Sequence, residues 1–270
     1  MAAESEPSAP DPAGLTELAC LLARRGGALA LARQQSGLAV TTKSSPTDVV
    51  TDADRAVEEL LRQELARRRP DDAVLGEEGG AAGTSRAPVR WLIDPIDGTV
   101  NYLLGLPQWS VSVAAECAGR TVAAAVFNPS SGAMFHATLG HGAFLDERRL
   151  AGPRLVPLAE AVVATGFGYD RDRRAEQGRI VGQLLGRVGN LRRLGSAALD
   201  LCALAAGWVD LYYEGPLGEW DMAAGLLIAT EAGVRTSGLH GRAAGPHFVA
   251  GAHPDTAAEF FQVLTELGAG

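Results

Sequence analysis

The sequence predicts a layered α/β protein whose first half is the more antiparallel. This prediction rests on three observations. Two early segments repeat apolar residues at helical spacing. Three apolar segments between residues 110 and 137 follow one another closely, as antiparallel strands do, and strand and helix patterns alternate from residue 162 onward. Alternation of this kind places helices on the faces of a sheet.

The first 70 residues are predicted to hold a tail, two helices and a polar connection. Residues 1–13 are rich in Pro, Ala, Ser and Glu, so we predict a disordered tail. The helix that follows has an apolar face formed by Leu15, Leu18, Leu22 and Leu29. Residues 36–50 are rich in Ser and Thr and predict a loop or a short hairpin. The second helix runs from about Asp52 to Arg69, before Pro70.

Strands are predicted where short apolar segments lie between turn residues. In the first half these are residues 73–75, 89–93, 110–116, 121–127 and 133–137. In the second half, strands at residues 162–164, 209–213 and 247–250 alternate with helices at 180–188, 196–206, 220–228 and 254–264. No repeat or linker separates the two halves, so residues 14–155 and 156–268 are expected to form one compact unit.

Composition excludes several classes of protein. The chain has 270 residues, of which 47% are hydrophobic and 21% charged, as in ordinary globular proteins. No apolar run approaches the roughly 20 residues of a membrane span, and the acidic N-terminus does not resemble a secretory signal. Three well-separated cysteines without such a signal favour the cytoplasm. The net charge of −8, without a basic run, argues against nucleic-acid binding.

The chemistry is predicted to centre on residues 91–99, WLIDPIDGT. Asp94 and Asp97 follow a buried strand across a turn that the intervening proline stiffens. Carboxylates this close repel each other unless a cation lies between them, and oxygen ligands favour Mg²⁺, Mn²⁺ or Ca²⁺ over zinc. Gly98 and Thr99 open a predicted helix whose free N–H groups can bind an anion. An isolated D-x-x-D is more often a polar turn that caps a helix, but the full string is more specific.

Four other residues are candidates for the same site, and each has a structural alternative. Glu77 follows a strand but alone would indicate an exposed acidic turn. Asp221 falls near a predicted helix N-terminus, where the helix dipole favours an aspartate in any protein. Asp54 fits a capping box with Thr51 and can serve both as cap and in catalysis. Lys43 is a solvated lysine unless its polar loop folds over the site.

These ordered motifs resemble those of the inositol monophosphatase family, within the wider group that includes fructose-1,6-bisphosphatase. Residues 91–102, WLIDPIDGTVNY, match the family's first signature. Residues 220–233, WDMAAGLLIATEAG, match the second, with Val234 in place of its usual closing glycine. Shorter matching segments lie at residues 43–48, 51–54, 76–78, 195–207 and 212–214.

The resemblance implies a fold, an assembly and an activity. The fold would be a five-layered αβαβα sandwich, usually in a homodimer, with most metal ligands in residues 14–155. The activity would be hydrolysis of a small phosphate monoester by a metal-activated water, with two or three Mg²⁺ ions in each site. Inhibition by Li⁺, which would replace the second Mg²⁺, is also implied.

The implied metal ligands are carboxylates and one main-chain carbonyl. One ion would be held by Glu77, Asp94 and the carbonyl of Ile96. A second would be held by Asp94, Asp97 and Asp221, so that the two ions can clamp the attacking and leaving oxygens. A weaker third ion would lie near Glu77.

Further roles are implied for the residues around these ions. Thr99, with Glu77 or Asp54, would orient the attacking water, and Asp54 would reach the third ion through water. Lys43 would lie on a loop that closes over the site. The implied substrate contacts are Asp97, Gly98, Thr99, Ala197, Glu214 and Asp221.

The alcohol of the substrate is the least determined part of this prediction. Glu214 is similar to a polyol-contacting residue, or it is a structural acid at a strand end. Glu219 is expected to lie close enough to Asp221 to alter substrate preference, and Tyr169 and Asp170 fall where the family varies with substrate. Inositol monophosphate is the leading substrate, with histidinol phosphate or 3′-phosphoadenosine 5′-phosphate as alternatives. The non-enzymatic alternative is a regulatory or binding protein that has kept the fold and lost a metal ligand.

Overall fold

The computed structural model describes residues 10–36, 40–42, 49–84 and 87–270. In these ranges the chain forms seven α-helices: α1 (Pro12–Ser36), α2 (Asp52–Arg68), α3 (Thr99–Leu103), α4 (Arg171–Leu184), α5 (Ala197–Ala205), α6 (Glu219–Glu231) and α7 (Pro254–Glu266). The same ranges hold fifteen strands: β1 (Val40–Thr42), β2 (Val49–Thr51), β3 (Ala73–Gly76), β4 (Gly80–Ala82), β5 (Arg90–Asp97), β6 (Ser110–Cys117), β7 (Arg120–Asn128), β8 (Ala133–Thr138), β9 (Gly142–Leu145), β10 (Arg148–Arg149), β11 (Val162–Thr165), β12 (Asn190–Arg192), β13 (Leu211–Glu214), β14 (Arg235–Ser237) and β15 (Val249–Ala252).

Within the described ranges the strands form three sheets. β1 and β2 pair antiparallel, which favours the short hairpin over the loop, the two alternatives predicted for residues 36–50. The largest sheet has the order β10-β9-β8-β7-β6-β5-β3-β4 and is antiparallel except where β3 lies beside β5. The third sheet has the order β12-β11-β13-β15-β14, and β11 runs parallel to both of its neighbours. The first half is therefore the more antiparallel, as predicted.

Helices and sheets alternate in five layers. α1 and α2 cover one face of the eight-stranded sheet, where Leu22 and Trp91 belong to one core. α5 and α6 lie between the two large sheets, and Leu201 belongs to this second core. α4 and α7 cover the outer face of the five-stranded sheet, where Ile180 and Phe260 share a third core. The predicted αβαβα sandwich is confirmed.

The strand β5 joins two of these cores and carries polar residues at its end. Trp91 and Ile93 face the core under α1 and α2, whereas Leu92 faces the core around α5 and α6. A strand buried on both faces requires a continuous apolar run, which this segment has. The predicted turn between Asp94 and Asp97 is wrong, because the strand continues through both residues with a shift of its register against β6.

Most other differences from the predicted elements lie at element ends. α1 begins at Pro12, inside the predicted tail, because the carboxylate of Asp11 accepts hydrogen bonds from the first N–H groups of the helix. α4 ends at Leu184 and leaves Val188 outside the helix. β15 begins at Val249, two residues later than predicted. Element ends depend on such local capping and pairing, which apolar periodicity does not report.

The structure also bears on membrane insertion and on the cysteines. None of the helices in the described ranges is both long and apolar enough to cross a bilayer. All three cysteines, Cys20, Cys117 and Cys202, lie in these ranges and are unpaired. Cys202 is buried in the core between the sheets, where it packs as a small apolar side chain.

Candidate active site

The predicted site residues converge where β5 ends. The end of β5, the start of α3, the turn after β3 and the first turn of α6 meet around a cavity of about 370 Å³. Its lining includes Glu77, Asp94, Ile96, Asp97, Gly98, Thr99, Ala197, Glu214 and Asp221. Asp54 is buried behind Thr99, and Lys43 lies outside the described residues.

Gly98 makes the connection between β5 and α3. Its φ of 95° lies in the left-handed region, and a Cβ added to it would lie 3.0 Å from the carbonyl oxygens of Gln108 and Gly195. Both observations require glycine at this position. α3 then begins at Thr99, and the N–H groups of its first turn have no acceptor within the helix. This turn therefore brings hydrogen-bond donors to the wall of the cavity.

Asp97 is tied to the N-terminus of α5. Its carboxylate accepts hydrogen bonds from the Ser196 hydroxyl, from the Ala197 N–H at 3.2 Å and from the Ala198 N–H at 2.8 Å. Burial raises the pKa of Asp97 to about 6, and the hydrogen bond from Ser196 opposes this rise. The same serine caps α5 by accepting the N–H of Leu199 at 3.3 Å. One serine thus fixes both the helix and a site carboxylate.

Asp94 is 1% exposed, and its surroundings are strongly negative. One of its oxygens accepts the N–H of Ile96 at 3.0 Å. Burial first, and then the charge of Glu77, raise the pKa of Asp94 well above its ordinary value, and Asp97 and Asp221 act in the same direction. Acids from three separate elements therefore share one electrostatic environment.

Asp221 serves both the helix α6 and the cavity. Its carboxylate accepts the N–H of Gly218 at 2.7 Å, as half of a capping box. Burial raises the pKa of Asp221 well above its ordinary value, and the charges of Asp97 and Glu77 add to this effect. Asp221 therefore lies in the first turn of α6, as predicted, and its side chain is also on the wall of the cavity.

Asp54 is connected to the cavity through Thr99. It completes the predicted capping box by accepting the Thr51 N–H at 2.8 Å and the Thr51 hydroxyl. Its other oxygen lies 3.1 Å from the Thr99 hydroxyl, which also lies 3.1 Å from the carbonyl oxygen of Ile96. The hydroxyl has one proton to donate to these acceptors, and its oxygen retains the capacity to accept a hydrogen bond.

Comparisons with known proteins identify the family. The model of the inositol monophosphatase family matches residues 11–266. The chain belongs to the inositol monophosphatase family. It is similar to Inositol-1-monophosphatase SuhB of Mycobacterium tuberculosis, with 44% identity over 235 residues that cover 84% of this chain and 81% of that protein.

Two further similarities agree with this family. Nus factor SuhB of Pasteurella multocida is 41% identical over 194 residues, which cover 72% of this chain and 73% of that protein. The crystal structure of extragenic suppressor protein SuhB from Bartonella henselae has a TM-score of 0.86 at 30% identity and covers 94% of this chain and 99% of that one. The resemblance inferred from residues 91–102 and 220–233 is therefore confirmed.

The donor atoms of this inositol monophosphatase family member fit a hard cation. Glu77, Asp94, Asp97 and Asp221 bring four carboxylates to the cavity, and Ile96 adds a carbonyl. Oxygen-only donors of this kind suit Mg²⁺. In the described part of the chain, no three His, Cys, Asp or Glu side chains lie close enough together to hold a metal ion in this structure. The four carboxylates therefore line one cavity but are not grouped around a common point in this structure.

Glu214 lines the cavity at the end of β13. The hydroxyl of Tyr212 donates a hydrogen bond to its carboxylate at 3.0 Å. Burial raises the pKa of Glu214 to about 7, and this hydrogen bond opposes the rise. The side chain is thus held in position by a neighbour on its own strand and can accept hydrogen bonds from a ligand.

The remaining residues that were considered for substrate choice take different positions. Tyr169 lines the cavity, whereas Asp170 caps α4. Glu219 pairs with Arg90 at 2.6 Å and is not part of the lining, so the expectation that it influences the site through Asp221 is not supported by its position.

Two residues at the site, Arg193 and Ser196, were not predicted from the sequence. Both lie beside or within the matched segment 195–207, which was the available signal. Arg193 is the one cationic side chain in the described lining. Its charge lowers the pKa of Asp97 and of Glu214, but burial raises both by more.

Proposed function

We propose that this protein hydrolyses a small phosphate monoester with Mg²⁺, and that inositol monophosphate is its substrate. The observation that carries the proposal is the convergence of Glu77, Asp94, Asp97 and Asp221 on a cavity bordered by the turn at Gly98. Carboxylates suit the cation, and the free N–H groups of the turn suit the phosphate. The loss of a metal ligand that a non-enzymatic relative would show is not found among these four residues.

The proposed ligands divide between two principal ions. Glu77, Asp94 and the carbonyl of Ile96 would hold one, and Asp94, Asp97 and Asp221 would hold the other. A weaker third ion would lie near Glu77. When bound, Mg²⁺ would lower the pKa of a coordinated water and neutralise charge on the phosphate.

The chain's own residues would orient the attacking water. The Thr99 hydroxyl donates towards Asp54 or the Ile96 carbonyl, so its oxygen is left to accept a hydrogen bond from water on the cavity side. Glu77 lines the same cavity and can accept the second proton of that water. Lys43 remains a prediction for a loop that closes over the site.

Phosphate and alcohol would be bound by different walls of the cavity. The N–H groups of Gly98 and Thr99 would donate to phosphate oxygens. The carboxylate of Glu214, fixed by Tyr212, would accept hydrogen bonds from hydroxyl groups of a polyol. Asp97, Ala197 and Asp221 would complete the contacts to the substrate.

A substrate panel tests the proposed alcohol. Inositol 1-phosphate, histidinol phosphate and 3′-phosphoadenosine 5′-phosphate should be compared by kcat/KM at saturating Mg²⁺. We expect the highest kcat/KM for inositol 1-phosphate, and Glu214→Gln should lower it more than it lowers that for the other two. Preference for either of the other phosphates would reassign the substrate within the family.

We also propose a homodimer formed through the surface around Trp208. This side chain is 58% exposed, and it borders a cavity of about 420 Å³ whose lining includes Pro107, Leu199 and Ala203. Leu106, next to that lining, is 47% exposed. Trp208 and Leu106 are large exposed apolar side chains near the same cavity, and exposed apolar surface is typical of interfaces. Light scattering should give a dimer mass for the wild type and a monomer mass for Trp208→Ser; a monomeric wild type would refute the dimer.

Two further properties belong to the same proposal. Li⁺ should inhibit turnover by replacing the second Mg²⁺, and Na⁺ at the same concentration serves as the control. Equal inhibition by Li⁺ and Na⁺ would contradict this prediction.

The location of the protein is the other property. The unpaired state of Cys20, Cys117 and Cys202 supports a reducing compartment, in agreement with the cytoplasmic location predicted from the sequence.

A further inference from the structure

Helix α2 presents three charged or polar side chains at intervals of four residues: Asp54, Glu58 and Arg62. Residues at this spacing lie on the same face of a helix. Asp54 contacts Thr99 at the cavity, as described above. Glu58, one turn later, is only 3% exposed although it is charged, and it does not line the cavity. Its role must therefore be sought in what its carboxylate contacts.

The carboxylate of Glu58 binds the main chain of the turn between β3 and β4. Oε2 accepts the N–H of Glu78 at 2.7 Å, and Oε1 accepts the N–H of Gly79 at 2.7 Å. Oε1 also accepts Nε of Arg62 at 2.7 Å, and Nη2 of Arg62 donates to the carbonyl oxygen of Gly80 at 2.5 Å. Glu58 and Arg62 therefore hold the three residues that directly follow Glu77 by hydrogen bonds to their main chain.

Two glycines allow this close approach. A Cβ added to Gly76 would lie 2.6 Å from the Cδ atom of Glu58, and one added to Gly79 would lie 2.7 Å from its Oε1 atom. Real side chains do not tolerate such distances, so any larger residue would displace the carboxylate. The segment Gly76-Glu77-Glu78-Gly79 is thus shaped to receive the carboxylate of Glu58, with Glu77 inside it.

We propose that Glu58 and Arg62 are positioning residues that fix Glu77 relative to the other metal ligands. This inference rests on the proposed role of Glu77 in holding Mg²⁺. Charge-assisted hydrogen bonds to main-chain N–H groups are short and strong, and a site ligand has to be held within about 0.5 Å of its productive position. Through Asp54 and Glu58, one helix sets the positions of two groups at the site.

The matched control is Glu64, a carboxylate on the same helix with the same degree of burial. Glu64 is 2% exposed and pairs with Arg25, Arg67 and Arg68. Its hydrogen bonds and ion pairs in the described structure go to these arginines and not to the turn that carries Glu77. If Glu58 were only a stabilising buried acid, Glu58→Gln and Glu64→Gln would have the same effects.

The experiment measures Mn²⁺ affinity by electron paramagnetic resonance, without substrate, in wild type, Glu58→Gln, Arg62→Gln and Glu64→Gln. We expect about a tenfold loss of affinity in Glu58→Gln, as is typical when a residue that orients a metal ligand is changed. Glu64→Gln should stay within about twofold of the wild type, because substitutions away from the site leave its ligands in position. Arg62→Gln should lose affinity in the same direction as Glu58→Gln but to a smaller extent.

Further measurements distinguish a positioning role of Glu58 from a folding defect and from failure of the proposed function. Hydrogen exchange at the N–H groups of Glu78 and Gly79 should be faster in Glu58→Gln and unchanged in Glu64→Gln. Arg62 is 18% exposed, so Arg62→Gln provides the test if Glu58→Gln does not fold. Unchanged Mn²⁺ affinity in the folded variants would overturn the positioning role. A wild type that binds Mn²⁺ but hydrolyses no phosphate monoester would refute the proposed function alone.

Discussion

Buried carboxylates occur in two kinds of surroundings in this protein, and these differ in how the charge is balanced. On α2, the carboxylate of Glu64 lies 2.9 Å from Arg25, 3.1 Å from Arg68 and beside Arg67. Similarly, Asp210 accepts two hydrogen bonds from Arg154. Buried charges are normally paired in this way, because an unpaired charge is costly to remove from water.

The acids around the cavity have fewer cationic neighbours in the described part of the chain. Five of them line it, namely Glu77, Asp94, Asp97, Glu214 and Asp221, and the described lining contains one cationic side chain, Arg193. For Asp94 and Asp221, burial and neighbouring acids both raise the pKa. Glu64 and Asp210 are thus neutralised by arginines, whereas the acids of the described lining share a single arginine, and this is the arrangement that the proposed binding of a cation requires.

The largest expected effect comes from removing a central site acid. Asp94→Asn should lower kcat/KM with Mg²⁺ by about 10²- to 10³-fold, by analogy with the loss of one group that stabilises charge in a transition state. The variant should unfold at no lower temperature than the wild type in EDTA, since it removes a buried charge from like charges. Full activity of a folded Asp94→Asn would show that the metal assignment is wrong.

Glu214 provides a pH-dependent test of the same contrast. Burial raises its pKa from 4.5 to about 7, so the folded protein disfavours the ionised form. Below about pH 4.5 the group is protonated in both states, and the wild type loses stability relative to Glu214→Gln as the pH rises through about 7. We expect Glu214→Gln to be about 1–3 kcal/mol more stable than wild type at pH 8 in EDTA, and nearly equal at pH 4.5.

The measurement for this pair is denaturant unfolding across that pH range. A stability difference that is independent of pH would contradict the assignment of the raised pKa to Glu214.

A structural acid should behave in the opposite way to Asp94: its substitution should lower the stability of the protein but not its activity. Glu64→Gln should lower the free energy of unfolding by about 1–2 kcal/mol, less than for a fully buried pair because its arginine partners remain partly exposed to solvent. Its kcat/KM at saturating Mg²⁺ should match that of the wild type, since Glu64 contacts no site residue. Urea unfolding and a phosphate-release assay check the two halves of this prediction, and a large loss of activity at unchanged stability would reverse the classification.

The smallest effect is expected at the pair of Glu219 and Arg90. Both side chains are substantially exposed, at 40% and 39%, so Glu219→Gln should change stability by less than about 0.5 kcal/mol. The ratio of kcat/KM for inositol 1-phosphate to that for histidinol phosphate should not change. A marked shift of this ratio would restore a role for Glu219 in substrate choice.

The apolar patterns of the sequence predicted a layered α/β fold, and the family resemblance implied the order of its five layers. The apolar run of β5 and the spacing of Leu15, Leu18 and Leu22 in α1 indicate which faces are buried. Short edge strands such as β4 and β14 were missed, since Gly80–Ala82 and Arg235–Ser237 carry little apolar character. Their extended form depends on pairing with neighbours that lie elsewhere in the chain.

The site could be predicted only in part, because only some of its residues lie close together in the sequence. Asp94 and Asp97 are close in sequence, so a shared role was visible locally, although the strand continues where a turn was predicted. Glu77 and Asp221 could be joined to them only through the family resemblance. Ser196 and Glu58 act on site residues through contacts across the fold, and no local pattern in the sequence reports such contacts.

The most direct test of the proposed metal site is the metal dependence of phosphate release from inositol 1-phosphate. Purified wild-type protein should be stripped with EDTA and then titrated with Mg²⁺ while free phosphate is measured. We expect no release in EDTA and a saturable rise as Mg²⁺ is restored. Release that is unaffected by EDTA, or absent at every Mg²⁺ concentration, would contradict it.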